Sequence, residues 1–429
     1  MLNLPDAKEL ADELPPIVRI KGPQLCLQCR FSRLLCGRPK CPILMKLSSF
    51  AQLKSSLSNQ MQSDSPPSAF VGRIGYPRVS FGPLLPPQRG NTAIFDEPEL
   101  WRNFQFEQIV SLRMSMVRAK KSAEIHSASD PSGMLYDTQL SMLSLKPVYA
   151  EFRFRKSPAE GIYYLDDTSA PFGPSASVDE YRFENNTADR RLEKVYYDKD
   201  LKSEQAVLEL YRSGLTVNTI QKVFSLGMTG IAKRRKLVPT RWSITAVDDI
   251  VSSSLLDEVK MMPSVDLYHV FLYDMLGSRY VIIICPGNFS YEWVEAWFPR
   301  TLWNPSGMQA SCIADHEGFY GRKAYALPGG CYYSVRLAIA EYMSKLRRQG
   351  VAIALREIYP GQLLPLGVWN VREAVRAALE TQPFIFDQLN NALDFALSKL
   401  KLTKEFWLAN SYLIRQLLFQ KRIETYADR

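Results

Sequence analysis

The sequence predicts an α+β protein: a central mixed, mostly antiparallel sheet, a helical C-terminal region and an N-terminal four-Cys zinc module. Three observations point there. Apolar residues alternate in strand fashion at intervals up to about residue 285, as at Val148, Ala150, Phe152 and Phe154. From Cys331 onward they recur at helical spacing instead. Four of the seven cysteines fall between Cys26 and Cys41. Strands first and helices later describe an α+β arrangement rather than an alternating one.

The N-terminal zinc-binding module spans residues 1–47. Cys26, Cys29, Cys36 and Cys41 are spaced C-x2-C-x6-C-x4-C. A Cys-x-x-Cys turn supplies two soft ligands from one short loop, and two more complete the tetrahedron that zinc prefers. Four thiolates leave no open position for a substrate, so the metal is expected to stabilise the fold. An iron–sulfur cluster uses the same ligands and is the rival. From Arg19 to Lys54 there are eight bases and no acid. Arg30, Arg33, Arg38 and Lys40 lie among the cysteines and are candidate DNA-binding residues, because Lys and Arg release counterions from phosphates. A solvated basic surface is the plainer reading.

Residues 48–68, rich in Ser and Gln and ending in a Pro pair, read as a linker. An α+β body follows over 69–330. Val71 to Leu84 alternates as a strand, with Gly72, Gly75 and Gly82 marking turns or close approach. Leu100 to Lys120 has helical spacing, Pro147 to Lys156 alternates, and Asp166 to Ser177 is a Pro/Gly/Ser-rich connection. Helices at 204–212 and after Thr216, broken at Gly214, have the layout of a helix-turn-helix. Lys233, Arg234, Arg235 and Lys236 follow and are further candidate DNA-binding residues. Leu267 to Tyr273 and Arg279 to Cys285 read as strands joined at Gly277. In the helical C-terminal region, 331–419, helices are expected at 333–348, 369–379, 384–400 and 406–419, the last capped by Thr403. Residues 420–429 form a tail.

The net charge of +9 permits nucleic-acid binding without requiring it. No run approaches the roughly 20 apolar residues of a membrane span. Asp6, Glu9, Asp12 and Glu13 occupy the region where a signal peptide would be basic and then apolar. A cytoplasmic protein with no membrane association is expected, with Cys285, Cys312 and Cys331 as buried apolar residues.

No Walker-type phosphate loop, nucleophile elbow or His-Glu-x-x-His motif is present. Candidate catalytic or ligand residues are Arg73 among its glycines, Arg241 beside Trp242, Asp248 with Asp249, and His316 between Asp315 and Glu317. Flanking carboxylates would raise the histidine's pKa and suit it to proton transfer, unless it is a loop residue whose neighbours point elsewhere. The Asp pair would suit a hard cation, or simply a helix N-terminus. Gly329 and Gly330 before a helix could cradle a phosphate or merely turn the chain.

The four-cysteine N-terminus, VGRIGYPRVSFGPL (71–84), RKLVPTRWSITAVDD (235–249) and LPLGVWNVREAVR (364–376) together resemble the archaeal Nre family. The resemblance spans nearly the whole chain and implies a DNA-repair role, aided by a C-terminal motif for the sliding clamp PCNA. Such a motif places Gln, an aliphatic residue three later and aromatics at six and seven, so that one apolar pocket takes a short helical turn. Gln420, Ile423 and Tyr426 fit, while Ala427 stands where the second aromatic should be. The expectation is a zinc-containing repair protein with PCNA and DNA as partners. The alternatives are an enzyme on nucleotides or nucleic acid and a helix-turn-helix transcription regulator.

Overall fold

The structure, a computed structural model, describes residues 28–29, 32–159, 170–184 and 187–419. The chain divides into two compact units: residues 1–251 with 364–366, and 252–363 with 367–429. Each is built on a six-stranded mixed sheet, so the one central sheet expected from sequence is two.

In the first unit, α1 (Pro42–Lys54) opens on a proline, whose fixed φ and missing N–H suit a first helical turn. The sheet comprises β1 (Gln60–Ser65), β2 (Ala69–Val71), β3 (Arg78–Leu85), β4 (Val117–Glu124), β5 (Val148–Phe154) and β6 (Ser175–Glu184), in the order β1-β5-β6-β4-β3-β2. Every pair is antiparallel except β4 with β6. The alternation at 148–154 holds: Val148 is buried, and Ala150, Phe152 and Phe154 face a core with Leu53, Met61 and Val117. Residues 48–68 are no linker. They finish α1 and form β1, because Leu53 and Met61 carry enough apolar surface to be drawn inside. The helix expected over 100–120 is shorter, α2 (Phe106–Ser115), and yields to β4, whose Val117 and Ala119 continue the sheet core. Gly82 lets β3 approach β4: a Cβ there would sit 2.0 Å from the Ala119 carbonyl oxygen. The unit also holds α3 (Gly133–Ser141), α4 (Arg190–Tyr197), α5 (Ser203–Arg212), α6 (Val217–Ser225) and the first half of α7 (Thr240–Val259).

The second unit contains the rest of α7, then β7 (Tyr268–Met275), β8 (Ser278–Cys285), β9 (Ser290–Trp297), β10 (Ser311–Glu317), α8 (Gly330–Leu346), β11 (Val351–Ile358), α9 (Val368–Glu380), β12 (Phe384–Phe386), α10 (Leu389–Ser398), α11 (Lys404–Asn410) and α12 (Tyr412–Phe419). The strand order is β10-β9-β11-β8-β7-β12, antiparallel except for β9 with β11. Apolar residues of α8 and α9 cover one face, with Tyr280, Ile282 and Ile284. Those of α10, α11 and α12 cover the other, with Val281, Ile283 and Cys285. Strands buried on both faces read as continuous apolar runs, which is why β8 carries VIIIC and β11 VAIAL. The region 331–419 is therefore no separate helical part, since it supplies two strands and clads the same sheet. Residues 384–386, whose spacing suggested helix, extend the sheet edge beside β7 instead.

Three arginines of this unit are matched to carboxylates. Arg356 reaches Glu295 at 2.7 Å, Arg336 reaches Glu317 at 3.1 Å, and Arg376 reaches Glu341 and Glu373 at 2.6 and 2.7 Å. Glu292, on β9, accepts from the Ser411 hydroxyl and from the Tyr412 and Leu413 amides at 2.6 and 3.1 Å, and so caps α12 from another element. Among the described residues, no helix is long and apolar enough to cross a membrane.

Candidate nucleic-acid interface

The glycines of 72–77 turn β2 into β3 and leave a tip in which Arg73, Ile74 and Tyr76 are exposed. Gly75 holds φ +86°, and a Cβ there would lie 2.8 Å from the Arg78 carbonyl oxygen, so the tight turn requires glycine. This hairpin is tied to the start of α7, because the Val71 amide donates to the Thr240 hydroxyl at 2.8 Å. The first exposed side chains of α7 are Arg241 and Trp242. The Trp242 ring meets Tyr76 with centroids 5.1 Å apart. Both rings remain nearly half exposed, and Ile74 at the tip is 89% exposed. Arg73 and Arg241 thus share one junction with two accessible aromatic faces. Sequence reasoning marked both arginines and passed over Tyr76, whose role needs the hairpin to bring it to Trp242.

Asp248 and Asp249 lie further down α7, at its ninth and tenth positions, not at its N-terminus. Asp248 is fully buried and accepts from Gln221 at 2.8 Å, so it cannot meet a substrate. Gln221 belongs to α6, the helix that would read bases in a helix-turn-helix. The two helices form as expected, and Thr216 caps the second. Yet α6 is committed inward: Lys222 pairs with Asp96 at 2.9 Å, and Asn218 donates to the Asp96 carbonyl at 2.7 Å. Its polar side chains are taken, which removes the transcription-regulator reading.

The basic run 233–236 divides by position. Arg235 is buried, donates to the Gly230 and Asp198 carbonyls at 2.8 and 2.9 Å, and lies over the Tyr196 ring. It locks the loop. Lys233, Arg234 and Lys236 remain exposed.

At the N-terminus, Cys26 and Arg30 lie outside the described residues. Among the described residues no group of three His, Cys, Asp or Glu side chains is placed to hold a metal ion. Cys29 and Cys36 nevertheless lie close enough to act on Cys41. Burial raises the Cys41 thiol, the Leu44 and Ile43 amides draw it back, and the charges of Cys29 and Cys36 raise it further. Arg33 is exposed, whereas Arg38 is buried, and Lys40 is paired with Glu107. The expected basic patch thus loses Arg38 to the interior.

His316 lies in the second unit, on β10 rather than in a loop. Strand alternation sends its neighbours elsewhere: Asp315 pairs with Arg322 at 2.8 Å and Glu317 with Arg336. Burial pulls the Asp315 carboxyl up, and Arg322 with the Leu327 and His316 amides outweighs that, leaving it below its ordinary value. The imidazole stacks on Tyr412 at 4.0 Å. Both flanking carboxylates are occupied, so they do not form an acid/base pair with it. Gly329, at φ +63°, turns the chain into α8. Gln420, Ile423 and Tyr426 fall outside the described residues.

Comparison with known proteins gives a consistent picture. A family model described as "Archaeal Nre, N-terminal" matches residues 35–304, and one described as "Archaeal Nre, C-terminal" matches 317–426. The chain is 40% identical over 396 residues to an Archaeoglobus fulgidus protein named DNA repair protein NreB, covering 91% of this chain and 97% of that one. It is 36% identical to the DNA repair protein NreA of the same organism, covering 86% and 92%, and 32% identical to the NreA of Haloferax volcanii, covering 73% and 77%. No solved structure matches. Matched in both halves and at these identities, the chain belongs to the archaeal Nre family.

Proposed function

We propose that this protein acts in DNA repair by holding DNA at the β2–β3 tip of its first unit. The observation that carries the reading is the exposed Tyr76–Trp242 pair, adjoined in sequence by Arg73 and Arg241. Aromatic faces stack on bases of any sequence, and guanidinium groups contact phosphates. The relatives named as DNA repair proteins supply the biological setting.

Two further parts belong to this proposal. Cys26, Cys29, Cys36 and Cys41 would hold a zinc ion whose role is to staple the N-terminal segment, and the action of Cys29 and Cys36 on the Cys41 thiol supports the assignment. Gln420, Ile423 and Tyr426 would bind the PCNA sliding clamp, and Ala427 in place of a second aromatic would weaken that contact. A tether raises the local concentration of the body at DNA, so even weak clamp binding contributes.

Two titrations test this. Fluorescence anisotropy with a single-stranded oligonucleotide should give binding that Arg73→Ala and Arg241→Ala each weaken. Undiminished binding in both variants would remove the tip from consideration. Cognate clamp titrated against the intact chain and a chain ending at Phe419 should bind only the former.

A further inference from the structure

The first unit contains a cleft of about 260 Å³ that the tip does not use. Lys202, Arg234 and Lys236 line it, together with the hydroxyls of Ser203 and Thr229 and the ring of Phe224. No carboxylate lines it. Among the described residues none of the three cations makes an ion pair within the protein, so their charge is directed at solvent or a ligand. The two hydroxyls are 2.8 Å apart and fixed to each other. Lys202 is the N-cap of α5 and makes no side-chain cap, which leaves the first-turn amides of a ten-residue helix open to an anion.

The walls are set before any ligand arrives. Gly230, at φ +97°, closes against α5: a Cβ there would lie 3.2 Å from that of Ser203. Gly227, at φ +66°, packs where a Cβ would come within 2.6 Å of the Lys236 carbonyl oxygen. Arg235 holds the Gly230 carbonyl from behind, so Arg234 and Lys236 project from a fixed backbone.

We propose that this cleft binds a phosphate group, that of a nucleic-acid strand whose neighbouring bases lie on Tyr76 and Trp242. Three cations, two hydroxyls and a helix N-terminus suit tetrahedral oxyanions, and the arginine fork can take two oxygens at once. The distance fits a short strand. Trp242 is six steps along the chain from Lys236, a span of at most about 22 Å, or roughly three extended nucleotides. This part rests on the nucleic-acid reading of the tip, while the phosphate site stands without it.

The experiment uses the full chain, Arg234→Gln/Lys236→Gln and Trp242→Ala, all checked for the wild-type circular dichroism spectrum. Inorganic phosphate is titrated by calorimetry and single-stranded oligonucleotides by anisotropy. The expected result is phosphate binding by the wild type and Trp242→Ala, lost at least tenfold in the double variant. Oligonucleotide binding should weaken in both variants. In the double variant its salt dependence should shrink by about 0.7 in log–log slope per lost contact. Phosphate binding that is absent from the wild type, or equal in the double variant, overturns the site. Phosphate binding lost with oligonucleotide binding intact overturns the nucleic-acid assignment and gives the cleft to a free phosphate compound. If oligonucleotides bind no variant while phosphate binds the cleft, the reading of the tip fails alone.

Discussion

Replacing Glu292 by Ala should melt α12 without unfolding the sheet beneath it. The carboxylate is 1% exposed and serves three donors from one turn: the Ser411 hydroxyl and the Tyr412 and Leu413 amides. Buried donors left without an acceptor cost about 1–3 kcal/mol each, and the hydroxyl can turn to another partner. A net loss of about 2–4 kcal/mol is expected. The eight residues of α12 are far too few to be helical alone, so they depend on this cap and on burial of Leu413 and Ile414. Opening should therefore be local. In native-state hydrogen exchange, amides of 414–418 should lose protection by roughly 30- to 900-fold, while β8 and β11 keep theirs. Glu292→Gln, which retains one acceptor oxygen, should fall between. The pH dependence has a definite sign. Burial raises the folded Glu292 pKa above the ordinary 4.5, more than its three donors and His316 lower it. The native state thus takes up a proton at higher pH than the unfolded chain does. Wild type gains from this group as pH falls through the raised value and then through 4.5, so the deficit of Glu292→Ala should be larger at pH 4 than at pH 7. A folded variant with wild-type protection across α12, or one whose sheet opens together with that helix, would refute the reasoning.

Other expectations can be checked directly. Trp242→Ala should weaken single-strand binding by about 1–3 kcal/mol, on the order of 5- to 150-fold in anisotropy titrations, with little change in thermal stability. Gly82→Ala drives a methyl into the Ala119 carbonyl, so a fall of several degrees in melting temperature, or failure to fold, should follow. Asp189 caps α4 through the Arg191 amide at 3.0 Å, and the Arg191 guanidinium holds its pKa below 3.8 against the pull of burial. Its contribution of about 0.5–2 kcal/mol is present above pH 3.8 and lost as pH falls through the lower folded value, so Asp189→Ala should be destabilising at pH 7 and progressively less so as pH falls below 3.8 in denaturant titrations. Zinc release by a thiol-reactive agent, followed by a colorimetric chelator, should give about one ion per chain, and Cys36→Ser should lower it.

Local patterns were legible in the sequence where one residue's surroundings are set by its near neighbours. The alternation of 148–154, the turn at Gly277, the helix start after Thr216 and the Thr403 cap are of this kind. What could not be read depends on distant partners. Nothing local distinguishes Val117 and Ala119 as strand from the helix before them; pairing with β3 and β6 decides it. Helical spacing at 384–386 yields to an open sheet edge for the same reason. The inward commitment of α6 was hidden because Asp96, which engages two of its side chains, lies over a hundred residues away. The site divides likewise. Arg73 and Arg241 were visible through their glycine-rich and aromatic company. The cleft was not, since Lys202, Thr229 and Lys236 come from separate segments that share no motif.

The strand order of the second sheet bears on how this family can diverge. Its N-terminal family model ends at residue 304, after β7, β8 and β9, and its C-terminal model begins at 317, with β11 and β12 still to come. In space these strands interleave, β11 lying between β9 and β8. Neither half can close its own sheet, and Arg356 from one half neutralises Glu295 from the other. Exchange of halves between two lineages at that boundary would have to match a buried ion pair and two strand interfaces at once. The two halves should therefore be inherited together, with substitutions correlated along β9–β11–β8 more than anywhere at the molecular surface.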